Sequence, residues 1–244
     1  MALTKDSKEK MRKLFALVMV AVAALAVGPV RAADMPYYPP VIEVPDVDYG
    51  VGGSFYLRGS VAGNLWAARN FENPCGGCGT DVTDRGYGYS LGAGFGYETG
   101  SGLRADVTVD YLNNSGLTFG NGRKANLRGG LALANAYYDF NFSGLSSSAG
   151  GFGAYVGAGL GAAWVDTTIN EPNGTAWAWG DRFEPAAAVM AGVTYDMGAM
   201  VADVGYRGVY LPTIGNTPPN MVNAYVINNN WIHEVRGTLR YRFN

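Results

Sequence analysis

Nine ionisable residues fall at matching alternate positions in four stretches of the sequence: Arg58 in the first, Arg104, Asp106 and Asp110 in the second, Asp203 and Arg207 in the third, and Glu234, Arg236 and Arg240 near the end. The five guanidiniums nearly balance the four carboxylates. An arginine fork meets a carboxylate with two parallel hydrogen bonds, so such residues pair well. Two chemistries suit the set. Gathered together, it makes a web of ion pairs that satisfies buried charge and blocks flow. Lining a passage, it makes a narrow or gated pore.

Two further motifs could carry chemistry. Cys75 and Cys78 are the only cysteines, within Asn73-Pro74-Cys75-Gly76-Gly77-Cys78-Gly79. In a cytosolic protein this spacing would suggest a redox or half-zinc motif. In an exported chain it reads better as a small disulfide loop, with Gly76 and Gly77 permitting the tight turn. His233 is the only histidine. By alternation it sits with Trp231 and Val235, away from the charged set, as a side chain in the interfacial zone.

The elements that must position these groups are strands. From Trp231 to Phe243 the chain alternates with a period of two: Trp231, His233, Val235, Gly237, Leu239, Tyr241 and Phe243 against Ile232, Glu234, Arg236, Thr238, Arg240 and Arg242. A soluble sheet would bury the apolar set, whereas a membrane barrel turns it to lipid and points the charges into the lumen. Similar segments are Ser54–Trp66, Tyr87–Glu98, Leu103–Leu112, Lys124–Phe140, Phe152–Val165, Phe183–Tyr195 and Met200–Tyr210. In Lys124–Phe140 the two faces are ambiguous around Ala132–Ala136. The connections alternate in length. Ala67–Arg85, Asn113–Gly122, Asp166–Asp181 and Leu211–Asn229 are long and Thr99–Gly102 and Asp196–Ala199 short, while Asn141–Gly151, a Ser/Gly turn about as long as Asn113–Gly122, counts as fairly short. An even strand number with loops sorted by parity predicts an all-β, eight-stranded antiparallel up-and-down transmembrane β-barrel, with both termini on the short-turn side. Eight strands leave an interior just wide enough for side chains to fill, which favours the blocking web over the pore. Glycines at alternate positions of Tyr87–Glu98 leave room for large side chains from opposite strands.

The N-terminus reads as a signal peptide over residues 1–32: Lys10, Arg12 and Lys13, then an apolar run from Leu14 to Val27, then small residues around Arg31. Residues 33–53, with four prolines, read as a periplasmic tether, and 54–244 as the barrel. The whole chain has 18 Lys and Arg against 20 Asp and Glu. Cleavage removes six basic and two acidic residues, leaving twelve against eighteen, a net charge of −6. That balance sets nucleic acid aside as a partner.

The stretches Phe55-Tyr56-Leu57-Arg58-Gly59, Ala134-Asn135-Ala136-Tyr137-Tyr138-Asp139-Phe140, Tyr155-Val156-Gly157-Ala158-Gly159-Leu160-Gly161, Asp203-Val204-Gly205-Tyr206-Arg207 and His233 through Phe243 resemble the alphaproteobacterial eight-stranded outer-membrane proteins, OmpA/OmpX-like barrels that include rhizobial, Brucella and Bartonella surface proteins. The resemblance implies an outer-membrane location and contact with lipid and lipopolysaccharide. It also implies delivery by periplasmic chaperones to the barrel-assembly machinery. That machinery reads a terminal aromatic signal, here Tyr241 and Phe243, although Asn244 follows. Related surface proteins bind haemin, which makes His233 a candidate haem ligand, but a lone lipid-side histidine supports this weakly. Barrel lipid-A deacylases use a surface His with Ser and an acid; no Ser lies two residues from His233. We therefore expect no enzyme activity, no metal and no cofactor. The expected role is envelope integrity, with loops that meet a host or environmental ligand. The second reading is a small-solute porin, and the third a surface haem or ligand receptor.

Overall fold

The computed structural model describes residues 53–72, 79–142, 151–216 and 223–243. The expected signal peptide, nearly all of the expected tether, the Cys75/Cys78 pair and Asn244 lie outside the described residues.

Ten strands form: β1 (Gly53–Ala67), β2 (Asn70–Glu72), β3 (Thr80–Asp84), β4 (Gly86–Thr99), β5 (Leu103–Phe119), β6 (Lys124–Asn141), β7 (Gly151–Asn170), β8 (Ala176–Asp196), β9 (Met200–Gly215) and β10 (Val226–Phe243). The eight long ones make an antiparallel ring. Each pairs with the next in sequence, β1 passing directly to β4, and β1 pairs with β10 to close it. No open edge faces the bilayer core, as a strand crossing of lipid requires. The short strands β2 and β3 continue the wall at the loop end, bridging β10 to β5. In the half near the termini, one set of alternate residues is exposed and apolar, including Leu57, Val61, Leu91, Phe95, Val107, Val109, Val156, Val189 and Val204. The other set is buried and largely polar. That exterior is a lipid-facing band. Alternation also assigns Tyr87, Tyr97, Tyr111, Trp164, Tyr195, Trp231, Tyr241 and Phe243 to this outer face; all are exposed on it except Tyr97, which is half-buried.

All four expected long loops are corrected, Ala67–Arg85 because it carries the strands β2 and β3. Asn113–Gly122 is strand as far as Phe119, Asp166–Asp181 is strand except for residues 171–175, and both ends of Leu211–Asn229 extend strands. The strands run beyond the lipid band and carry their own core there. The reason they escape a simple alternation is a set of phase slips. In β5 the inward residues are even-numbered up to Asn114 and odd-numbered from Leu117, across a bulge at Gly116 with φ 85°. That left-handed backbone is open to glycine and strained for other residues. In β10 the slip comes at Asn229, φ 55°: before it Ile227 is buried rather than Asn228, and after it the even-numbered Asn230 and Ile232 are buried.

The ambiguity of the fourth long strand is settled. In β6, Leu127, Leu131, Leu133, Asn135 and Tyr137 point inward, and Ala134, Ala136, Tyr138 and Phe140 point outward.

Candidate functional site: a lumen filled from both ends

All nine of the charged residues picked out by alternation are buried on the inner wall. They gather in two groups. Nearer the middle of the barrel lies a closed ring. Arg207 Nε donates to Glu234 Oε2 at 2.6 Å and its Nη1 to Asp110 Oδ2 at 2.7 Å. Arg236 Nη2 donates to Asp110 Oδ1 at 2.6 Å and to Glu234 Oε2 at 3.2 Å. Two guanidiniums and two carboxylates thus alternate and cancel. Ser60 accepts from Arg236 at 2.6 Å and Ser90 donates to Glu234 at 3.1 Å, tying the ring to β1 and β4. Glycine makes room for it: a methyl at Gly92 would strike the Asp110 carboxylate.

The second group lies nearer the termini and centres on Asp106. This carboxylate accepts from Arg58 at 2.8 Å, Tyr56 at 2.9 Å and Asn135 at 2.7 Å. Arg58 also donates to the Tyr137 hydroxyl at 2.8 Å. Arg104 makes a two-pronged contact with Asp139 at 3.0 and 3.1 Å, and its guanidinium stacks 3.9 Å from the Tyr137 ring centre. Arg240 lies 3.2 Å from Glu98 and 3.6 Å from Asp203. At the mouth Arg242 pairs with Glu98 and with Asp196. Tyr56, Asn135, Tyr137, Asp139 and Glu98 are partners that charge alternation alone did not single out. Asn135, Tyr137 and Asp139 belong to β6, whose face was open, and neutral Tyr and Asn carry no pairing signal on their own.

Toward the loop end the lumen changes character. Trp66, Leu112, Leu117, Leu127, Leu131, Leu133, Val165, Ile169, Val209, Leu211 and Ile232 pack into a continuous buried cluster. The slipped ends of β9 and β10, with β2 and β3, roof it. Phe71 and Phe119 meet at 4.4 Å between ring centres, and the Tyr225 hydroxyl donates across to the Thr167 carbonyl at 3.1 Å. Above the roof, Arg123 stacks 3.9 Å over Trp177 and bonds Glu171 at 2.8 Å. Burial holds the Tyr225 phenol above its ordinary pKa.

His233 is on the outer wall, as its parity requires. Its Nδ1 and the Tyr206 hydroxyl share a 2.6 Å hydrogen bond, and the ring stacks with Tyr206 and Trp231. Tyr241 and Phe243 also face outward, with ring centres 5.4 Å apart.

A closed antiparallel ring of eight strands, apolar on its outer band, defines a transmembrane β-barrel. Among known sequences, no family model matches. An uncharacterized protein of Brucella abortus strain 2308 is 31% identical over 288 aligned positions, covering 93% of this chain and 97% of the relative, and one from Brucella melitensis matches to the same extent. The chain belongs to the family of these Brucella proteins. Similar solved structures include Neisserial surface protein A (TM-score 0.49, 21% identity, 79% of this chain and 99% of that one). The outer membrane protein OprG of Pseudomonas aeruginosa is also similar (TM-score 0.43, 15% identity, 79% and 97%).

Proposed function

We propose that the protein is an outer-membrane barrel of the OmpA/OmpX-like kind, that its lumen is closed, and that it serves envelope integrity and the display of its loop end outside the cell. The observation that carries this reading is the filling of the lumen by two different materials in series. The neutral Arg207–Glu234–Arg236–Asp110 ring lies below, and the apolar cluster from Leu131 to Ile232 above. Ions crossing the lower part would meet charges already paired, and ions crossing the upper part would have to shed their water against aliphatic side chains. The short turns and termini then lie in the periplasm, where the tether begins. The roof formed by β2, β3 and the ends of β9 and β10 is the surface presented outward. Tyr241 and Phe243 serve as the signal read by the assembly machinery.

Planar-bilayer recording of the refolded mature chain tests the reading, with a heat-shift gel to establish folding. The expected result is a folded protein without single-channel steps. Stable, reproducible steps from folded protein would overturn closure and make the charged set a selectivity filter.

A further inference from the structure

The barrel wall has a window in its backbone pairing, a stretch of the β8–β9 seam without a ladder. On one side β8 is paired to β7 along almost its whole length. On the other, the ladder to β9 covers Ala187–Asp196 and then stops, its last pair being Ala187 with Tyr210. Continuing that register would set Pro185 against Pro212. Neither has an N–H to donate, so the ladder ends where both strands lose a donor together. Higher up the strands meet again. A methyl at Gly180 would strike Asn216, and Asn216 and Asn223 donate side-chain N–H groups to the Trp179 and Trp177 carbonyls, each at 3.1 Å. Between these closures Asp181–Ala186 of β8 faces Leu211–Gly215 of β9 with no ladder between them.

The place and lining of this window fix what suits it. Phe183 is the cross-strand partner of Trp164, and Tyr210 that of Trp231, so the window opens at the aromatic level where hydrocarbon gives way to headgroups. Alternation along β8 turns the N–H and C=O of Asp181 and Phe183 the same way as the Trp177 and Trp179 carbonyls, toward the gap. Backbone groups at that depth demand a polar partner. Just inside, Arg182 and Glu184 form an ion pair in which the Arg182 side chain keeps 33% of its exposure. Outside, Asp181 adds a second carboxylate, and Phe183 and Trp179 are more than 70% exposed. Charge of both signs inside and exposed aromatic rings outside match one kind of molecule.

We propose that the β8–β9 window is a binding site for a membrane amphiphile with a zwitterionic head. The anionic part of the head lies at Arg182 and the open backbone N–H groups, and the cationic part at Asp181 and Glu184. The chain runs down over Phe183 in the bilayer. This site lies beyond the closed-lumen reading and holds whether or not the lumen conducts.

The test uses the refolded mature barrel in uncharged dodecyl maltoside, followed by the NMR amide signals of Asp181, Phe183 and Thr213. Dodecylphosphocholine and dodecyl sulfate are titrated separately, so that the chain is constant and only the head changes. We expect a saturable shift at these amides with the phosphocholine, and a ~10-fold weaker midpoint in Arg182→Gln, the scale of a lost charged hydrogen bond. Asp181→Asn gives a smaller weakening and covers the case in which Arg182→Gln fails to fold. Equal midpoints for both detergents, or shifts spread evenly around the aromatic belt, would reduce the window to generic chain contact. No shift at the window would show it shut. Either result overturns the proposal.

Discussion

The barrel is two proteins end to end, and they obey opposite rules. Near the termini, Val107 and Val109 face out while Asp106, Thr108 and Asp110 at the alternate positions are buried. Toward the loop end the order inverts. Arg128 and Asp166 face out, while Leu127 and Val165 are buried. The same period of two serves both halves, and only the surroundings differ. In lipid, an apolar wall gains little by turning inward, so the interior is free to hold charge as long as every charge finds a partner. In water, the hydrophobic effect selects an aliphatic interior. The two halves should therefore fail differently: the lower one through an unpaired charge, the upper one through lost volume.

The largest expected effect comes from unpairing the lower ring. Asp110 holds Arg207 and Arg236 at once. Asp110→Ala leaves Glu234 alone between two buried guanidiniums, and should destabilise the barrel by about 3–5 kcal/mol, as breaking a buried pair does. Urea unfolding of the refolded barrel in lipid vesicles reads this directly. Asp110→Asn combined with Arg236→Met removes charge of both signs and should recover most of the loss. A single variant as stable as the parent would show that the ring contributes charge but not cohesion.

The upper half should respond to volume instead. Leu131→Ala empties a fully buried aliphatic position and should cost about 2–5 kcal/mol. Neither lesion alone should open the lumen, since each leaves the other filling in place. Asp110→Ala together with Leu131→Ala and Leu133→Ala should give steps in a planar bilayer. Steps from Leu131→Ala alone would mean that the charged half does not seal, and would locate closure wholly in the apolar half.

These differences explain how much could be read in advance. In the lower half every expected charged residue could be placed from alternation alone, because the chain keeps phase from Leu103 to Asn114 and from Phe243 back to Asn230. The upper half was hidden for two physical reasons. Gly116 and Asn229 slip the phase, so a run counted by parity comes out mixed. Past the lipid band, a polar exterior over a leucine interior also no longer resembles a membrane strand, and it reads as a polar loop. The β6 face stayed open because Ala132, Ala134 and Ala136 are small enough for either side. Its register against Asp106, which sets Asn135 opposite that carboxylate, is a tertiary fact. The β8–β9 break did leave a trace, since Pro185 and Pro212 are visible in the sequence, but their opposition depends on register.

A phase slip can itself be tested. Gly116 holds φ 85° with open space around the position of a β-carbon, so Gly116→Ala suffers backbone strain without a clash. We expect a loss of about 1–3 kcal/mol, the range for a non-glycine residue held in that region. Gly63→Ala, equally open but in ordinary strand conformation on the outer wall, should change stability by less than about 0.5 kcal/mol. Equal losses at the two sites would mean that packing rather than backbone conformation sets the slip.

Apart from the Gly63→Ala control, the smallest effect should lie above the roof, where water reaches the side chains. Arg123 stacks on Trp177 and bonds Glu171, and both members of the ion pair keep part of their exposure. Arg123→Ala should cost about 0.5–1 kcal/mol, the scale of a partly exposed cation–π contact with a surface ion pair. Salt separates the two parts. Glu171→Gln removes only the ion pair, so its cost should fall further as ionic strength rises. The Trp177 stack should persist, leaving Arg123→Ala the more damaging change at high salt. If the two variants instead converge, the stack contributes nothing, and the roof is held by Phe71, Phe119 and Tyr225 beneath it.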